Sequence, residues 1–515
     1  MRKFVCVSIL IILLTIATNI KFFPRKMIVT GEDLELDWDP LVDVKVTVDI
    51  LKIRSLEKRD LQLNGFEKID RFSDPDFYVK VFINGVEFTS PVWENQKYVN
   101  DPQWSATLNV PDDKEFVNVT IQLWDENPGE DKLCDISDNS ESEGIYDVDL
   151  IYSIKSGHWF GDDYLDPNMY FGSSDPSGYG RLNGCDDNSI YQSNRDCELW
   201  FDIHQNDFDH DGITYWTEVN VYGTDPEDDN TGEDADNDGV PIEWENKWGH
   251  FLYMNWWDGS VYDEWIYDPF TWEDHANFDP DNDGLDNVEE YRTSQWGSDP
   301  FRPDLFIELD QMEAGPNGEP ASMLPDGSKE LLRTAYDKQN IVYHLDDGSW
   351  DETGSEMIPF ASSVSRNILR DMYYTQYFLH GNQSNWRRGV FHWGVVVYDG
   401  GFNGFAIRAD AFQISSSYIN DECKGELFYC SRDVIYASVY MHETGHSLGI
   451  SNPGVDDHNS LYPWEANWWK WGPYKSCMNY RYCYRLVDYS DGSRGMNDFD
   501  DWDDLSLTYF GSSGW

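Results

Sequence analysis

The sequence predicts a multidomain protein in which an all-β sandwich, a segment of acidic metal-binding loops and an α+β unit follow one another along the chain. Three observations carry this reading. Apolar residues alternate at strand period before residue 204, an aspartate frame recurs three times between 205 and 300, and two histidines stand four apart in a helical stretch near the C-terminus. At 515 residues the chain exceeds what one hydrophobic core supports, so several folding units are expected.

The first unit spans 30–204. Val42, Val44, Val46, Val48 and Ile50 alternate with mostly polar residues, the pattern of a half-buried strand. Phe77 to Ile83, Val117 to Trp124 and Glu198 to Ile203 repeat the pattern, separated by turns rich in Asn, Asp, Pro and Gly. Ahead of it, Met1-Arg2-Lys3 and the apolar run Phe4 to Ile16 have the layout of an export signal, so 1–23 reads as a signal peptide or an uncleaved N-terminal anchor. A secreted or cell-surface location follows.

The second unit, 205–300, has little periodicity and many aspartates. Asp207, Asp209, Asp211, Gly212, Ile213 and Glu218 occupy the first, third, fifth, sixth, seventh and twelfth positions of an EF-hand loop. Asp234, Asp236, Asp238, Gly239, Val240 and Glu245 repeat the frame, and Asp279, Asp281, Asp283, Gly284, Leu285 and Glu290 repeat it again. Glycine permits the sharp turn that converges three carboxylates, the seventh residue offers its carbonyl, and the glutamate closes the shell, so several structural calcium ions are expected.

Composition agrees with cation binding. The 96 Asp and Glu against 37 Lys and Arg give a formal charge of -59, which repels nucleic acid and anionic membranes unless cations neutralise it. Nucleic acid is excluded as a partner, and membrane contact is expected only through the N-terminal segment. Aromatic content of 16% with 23 Trp is that of a folding chain, not a disordered polyanion. Acidity as a high-salt adaptation would spread charge evenly instead of concentrating it in loops. The close cysteine pairs Cys185/Cys197, Cys423/Cys430 and Cys477/Cys483 are candidates for local disulfides, with reduced thiols as the alternative.

The third unit, 301–515, mixes strands at Leu305 to Leu309, Val390 to Val397 and Phe405 to Ile414 with helices around Lys329 to Lys338 and Val364 to Leu379. A further helix carries His442-Glu443-Thr444-Gly445-His446, with Ser431 as its cap and Asp433 in its first turn. Histidines at this spacing share a face and can converge on one zinc ion, while Glu443 beside them is placed to act as general base on a water. Gly404 to Ala409 is a candidate edge strand for pairing an extended peptide. Trp464, Trp468, Trp469 and Trp471 form either a pocket wall or part of the core.

Gly449, three residues after His446, and the downstream Ser476-Cys477-Met478-Asn479-Tyr480 resemble the metzincin clan of zinc proteases. The resemblance implies an α+β zincin-type domain, zinc-dependent metalloendopeptidase activity on a protein or peptide substrate, and Met478 as the hydrophobic turn methionine beneath the metal. It also implies Tyr480 as a phenol near the metal that steadies a developing oxyanion, against which a core tyrosine is the alternative. Where the clan places its third ligand this chain has Asn452, so Asp456 or Asp457, with His458 beside them, is the candidate third ligand. That departure keeps a second function in play: a calcium-dependent extracellular binding or adhesion protein with a degenerate protease domain.

Two further resemblances concern the other units. With Gly223-Thr224-Asp225-Pro226 and Gly297-Ser298-Asp299-Pro300, the loops resemble the calcium repeats of thrombospondin-type and dockerin-like proteins, implying a calcium-stiffened spacer. Ser73 to Val81, Asn100 to Trp104 and Leu123 to Asn127 resemble landmarks of the C-two domain, a calcium-binding β-sandwich. That implies calcium shared by Asp74 or Asp76 in one loop with Asp125, Asn127 and Asp131 in another at one end of the sandwich, read as structural more than membrane-docking.

Overall fold

The computed structural model describes residues 44–55, 73–111, 114–137, 145–155, 157–161, 180–184, 195–254, 261–348, 350, 357–426, 431–451, 462–508 and 510. The export segment 1–23, Asn452, Asp456, Asp457, His458, Cys185 and Cys430 lie outside them.

Two antiparallel sheets form the N-terminal sandwich. One contains β1 (Lys45–Ser55), β4 (Tyr98–Val99), β5 (Trp104–Asn109), β10 (Gly180–Asn183) and β11 (Cys197–His204), in the order β10-β11-β1-β4 with β5 also on β1. The other runs β3 (Val86–Thr89), β2 (Phe77–Ile83), β6 (Phe116–Asp125), β8 (Val148–Ser153), β9 (Trp159–Gly161), with β7 (Lys132–Leu133) on β6. The alternation of valines explains the packing: Val44, Val46, Val48 and Ile50 point inward and meet Val79, Val81, Val119, Ile121 and Leu123 of the facing sheet. A bulge between Ile50 and Lys52 then shifts the register of β1 against β11.

Structure in the acidic segment exceeds what its sequence suggests. Helix α1 (Ile242–Trp248), the hairpin β12 (His250–Met254) and β13 (Val261–Trp265), and helix α2 (Asn287–Thr293) follow the loops. Asp286 caps α2 and Glu289 completes the capping box. A small core of Val240, Trp244, Trp248, Tyr267 and Phe301 holds the segment together, the few apolar side chains being large aromatic ones.

The C-terminal unit is built on a sheet of order β15 (Val342–Asp346), β14 (Asp304–Met312), β17 (Phe391–Val397), β19 (Ala411–Ser415), β18 (Gly404–Arg408), with β16 (Met357–Ile358) also on β14. The single strand expected from Phe405 to Ile414 is this antiparallel pair, folded back at Ala409-Asp410. All other pairings are parallel, and all nine residues of β14 are buried because both faces of the sheet are covered. Helices α3 (Asp326–Asp337) and α5 (Arg432–Ser447) cover one face through Leu332, Ala335, Tyr336, Ile435, Val439 and Tyr440. Between them in the chain lies α4 (Ser416–Glu426). Turns of α- and then π-helix from Arg366 to Phe378 occupy the other expected helical stretch.

Buried ion pairs join sandwich to C-terminal unit. Arg54 of β1 binds Asp337 of α3, donates to Thr334 Oγ1 at 3.0 Å and stands 3.3 Å from Glu198 of β11; Arg181 and Arg302 approach Asp337 at 3.4 and 3.7 Å. These guanidinium groups hold the Asp337 carboxyl below its ordinary range in spite of its burial. Cys477 and Cys483 stand as separate buried thiols, so the bridge open to them in the sequence is not made.

Candidate metal centres

Helix α5 begins where Ser431 accepts the Val434 N–H at 3.3 Å and ends at Gly449, whose φ of +89° lets Ile450 N–H reach back to the Gly445 carbonyl at 2.9 Å. Its last two turns set His442 and His446 with ring centroids 4.8 Å apart and rings perpendicular. His442 Nδ1 lies 2.8 Å from the Cys477 carbonyl and His446 Nδ1 lies 3.2 Å from the Ile450 carbonyl. A carbonyl only accepts, so both imidazoles donate through Nδ1, which leaves Nε2 as the nitrogen available to a metal. Burial, then the neighbouring His446, pushes His442 down to about 3, so this ring stays neutral at any ordinary pH.

The turn Ser476 to Tyr480 lies beneath the helix. Met478 is buried with its N–H on Ser476 Oγ at 3.0 Å, and a Cβ added to Gly445 would sit 2.7 Å from Met478 Sδ. Glycine between the two histidines is therefore what admits the methionine. Tyr480 is half-buried, its ring 5.5 Å from that of His442. Glu443 is 6% exposed and faces β18: a Cβ on Gly404 would collide with its carboxylate. The edge strand thus runs directly past the glutamate, an apposition that no spacing in the sequence signals. Of the tryptophans after this helix, Trp471 is buried in the core whereas Trp464 and Trp469 are 79% and 70% exposed.

These side chains fit zinc: two imidazoles on one helix face, each held through Nδ1 by a backbone carbonyl, His442 buried and His446 half-buried. The candidate third ligands Asp456 and Asp457 fall outside the described residues.

The three aspartate loops are ordered by their own carboxylates. Asp207, Asp234 and Asp279 each accept the N–H of the loop glycine, Gly212, Gly239 or Gly284, at 3.1 Å, and the three glycines have φ of +91°, +111° and +98°. Ligand oxygens of Asp207, Asp209 and Asp211 lie within 4.8 Å of one another, as do those of Asp234, Asp236 and Asp238, and those of Asp279, Asp281 and Asp283. Ile213 and Val240 are buried and Leu285 half-buried; Val240 belongs to the small core beneath its loop, and Leu285 packs against the core of the C-terminal unit.

The twelfth-position glutamates depart from the expected single shell. Glu290 groups with Asp283 and Asp304, and Glu245 with Asp238, Glu273 and His275, while Glu218 is buried, its carboxylate accepting from Thr224 Oγ1 at 3.1 Å. Asp304, Glu273 and His275 arrive from outside the loops and have no fixed offset from them, so the twelve-residue frame could not find them. Burial first, then the neighbouring carboxylates, pushes Asp236 up to about 6, Glu218 and Asp283 to about 7, and Glu245 and Asp281 to about 10. Carboxylates packed this way repel one another unless protons or cations neutralise them.

At the sandwich end, the expected calcium residues are engaged with protein groups. Asp125 accepts the Asp76 N–H at 2.9 Å and the Asn127 amide at 2.7 Å, Asp76 accepts the Asn95 N–H at 2.6 Å, and Asp131 accepts from Tyr78 at 3.0 Å and from Asn127 N–H at 3.0 Å. Asp74 donates its N–H to Asn95. Among the described residues, the ligand-spaced groups lie in and beside the three loops and include none of these five.

The paired sheets and these loops define an N-terminal β-sandwich within a multidomain chain. Residues 44–137 match the C2 domain family, so the sandwich is a C2 domain with further strands added after residue 137. Similar solved structures include one described as a C2 domain (13% identity, 32% of this chain and 98% of that one, TM-score 0.18) and human GIVD cytosolic phospholipase A2 (14%, 32% and 16%, 0.18). A C2 domain protein from Ramazzottius varieornatus also appears (11%, 31% and 88%, 0.17). No curated protein matches the chain. No helix among the described residues is long and apolar enough to cross a membrane.

Proposed function

We propose that the chain is an exported zinc metalloendopeptidase, held in shape by calcium, whose C2 domain and aspartate loops brace the hydrolytic unit. The observation that supports this best is the pair of imidazoles on α5, each held through Nδ1 by a backbone carbonyl so that Nε2 is left for a metal. His442 and His446 would hold the zinc with a third ligand from Asp456 or Asp457. Zinc bound there supplies Lewis acidity that polarises a peptide carbonyl and lowers the pKa of water.

The chain's own groups do the rest. An extended peptide pairs with the outer edge of β18, which brings its scissile carbonyl beside Glu443, the residue that meets that strand. Glu443 takes the proton of the attacking water and passes it to the leaving amine. Tyr480, beside His442, donates to the oxyanion. Exposed Trp464 and Trp469 give the substrate apolar surface. The aspartate loops take calcium, and the cluster Asp283, Glu290, Asp304 ties the third loop to the first residue of β14, so calcium there stiffens the start of the hydrolytic sheet.

His442→Ala is the direct test. It removes one zinc equivalent and abolishes casein cleavage; a variant that still cleaves casein with wild-type metal content overturns the proposal.

A further inference from the structure

Each aspartate loop is met by a later stretch of chain in the same way. The fifth-position aspartate accepts a distant backbone N–H: Asn230 onto Asp211 at 3.4 Å, Glu273 onto Asp238 at 3.1 Å, and Asp304 onto Asp283 at 2.7 Å. In the second and third loops that residue's carboxylate joins the loop's ligand atoms. In the first loop the residue carries an amide and in the third a carboxylate. In the second it is Glu273 followed two residues later by His275, so an imidazole enters where the other loops have none.

His275 is 1% exposed, and its Nε2 lies 3.3 Å from Asp238 Oδ2, 3.7 Å from Glu245 Oε1 and 3.9 Å from Glu273 Oε2. The four ligand atoms lie within 4.8 Å of one another. Nε2, Glu245 Oε1 and Glu273 Oε2 are all buried without a hydrogen-bond partner, and such groups cost free energy unless something binds them. The ring cannot turn away. Tyr267 and Trp244 pack edge-on against it at 4.8 and 5.8 Å, and Nδ1 sits 2.8 Å from the side-chain amide of Asn287 on α2. With Nδ1 held by Asn287 Nδ2, Nε2 is the ring atom that faces the three carboxylates, and an outer partner on the other ring nitrogen is what orients a metal-binding histidine.

The donor set argues for the kind of ion. Calcium takes six to eight oxygens and has no use for a nitrogen, whereas one imidazole with three carboxylates suits the four-coordinate habit and borderline softness of zinc. We propose that Asp238, Glu245, Glu273 and His275 form a second transition-metal site, selective for a zinc-class divalent ion in the presence of calcium. Asp238 then bridges it to the calcium position of Asp234 and Asp236. The site is 167 residues upstream of His442 and stands whether or not the chain is a peptidase.

The test uses the full chain carrying His442→Ala and His446→Ala, so that zinc on α5 does not contribute. After stripping with a chelator, the protein is dialysed against micromolar zinc in millimolar calcium and its metals are measured. The expected result is one zinc per chain, lost on adding His275→Gln while the circular dichroism spectrum in calcium stays the same. Anomalous diffraction at the zinc edge from wild-type crystals gives a second readout that needs no variant, with a peak expected at ligand distance from His275 Nε2. Absence of that peak, zinc retention indifferent to His275→Gln, or calcium alone at the position overturns the proposal.

Discussion

Gly445→Ala reads the packing beneath the histidine helix. In an open helix the change stabilises by about 0.8–1 kcal/mol, because alanine has the better helix propensity. Here the new Cβ would stand 2.7 Å from Met478 Sδ, 3.0 Å from the Tyr489 hydroxyl and 3.1 Å from Tyr489 Cε1. Tyr489 is 1% exposed and held by hydrogen bonds to the Met441 carbonyl at 2.7 Å and to Tyr336 at 3.1 Å, so the methionine must yield. Its sulfur has to retreat by roughly 1 Å to reach ordinary contact distance. Overpacking of this kind costs about 1–3 kcal/mol, which exceeds the propensity gain and leaves a net loss of about 0–2 kcal/mol. The displaced turn also carries the Cys477 carbonyl that orients His442, and loss of such an outer contact weakens metal affinity by about 10–100-fold. Urea unfolding in saturating calcium and zinc competition against a chromophoric chelator measure the two effects. A gain near 1 kcal/mol with unchanged zinc affinity would refute the packing described for Met478.

Asp337→Ala removes the carboxylate that Arg54, Arg181 and Arg302 share while Arg54 keeps Glu198 and Glu330, a loss of about 1.5–3 kcal/mol in urea unfolding; a change under about 1 kcal/mol would show that the arginines find water instead. Gly404→Ala pushes the β18 backbone against Glu443 and lowers kcat/KM for casein by about 100-fold at unchanged zinc content, since a shift of about 1 Å at a reacting group has that effect; equal loss of zinc would point to unfolding of α5. Without calcium, Glu218 and Asp283, raised to about 7, and Asp281, raised to about 10, contribute stability that is complete below the ordinary carboxylate range and lost as pH rises through those values. Bound calcium favours the charged forms and cancels that loss. The drop in Tm caused by chelator is therefore larger near about pH 8 than near about pH 5, and equal drops would mean the loops carry no cation.

Much of this architecture is legible in one dimension because its periods are local. The valine alternation of β1, the aspartate frame with its glycine at the sixth position, and the histidine spacing of α5 each reflect one strand, one loop or one helix. The legible part ends where the chain returns from a distance. Nothing near Asp283 announces Asp304, and nothing near Glu245 announces His275 thirty residues on. The β12–β13 hairpin is missed because its segment is dense with aromatic and acidic residues and lacks strand alternation. In the sandwich, acidic residues at C-two landmarks read as calcium ligands, and the sequence does not show that Asp125 and Asp131 also accept hydrogen bonds from Asp76, Asn127 and Tyr78. A carboxylate's type is visible in sequence, but its partner is not.

The hydrolase proposal turns on Glu443, since a zinc-binding helix alone does not make an enzyme. Glu443→Gln keeps the size of the side chain and removes its basicity. Casein turnover and zinc content measured together on this variant give the most direct result: turnover falls by about 10²–10⁴-fold while bound zinc equals that of the wild-type chain. Wild-type turnover in Glu443→Gln, or a wild-type chain that holds no zinc at His442 and His446, contradicts it.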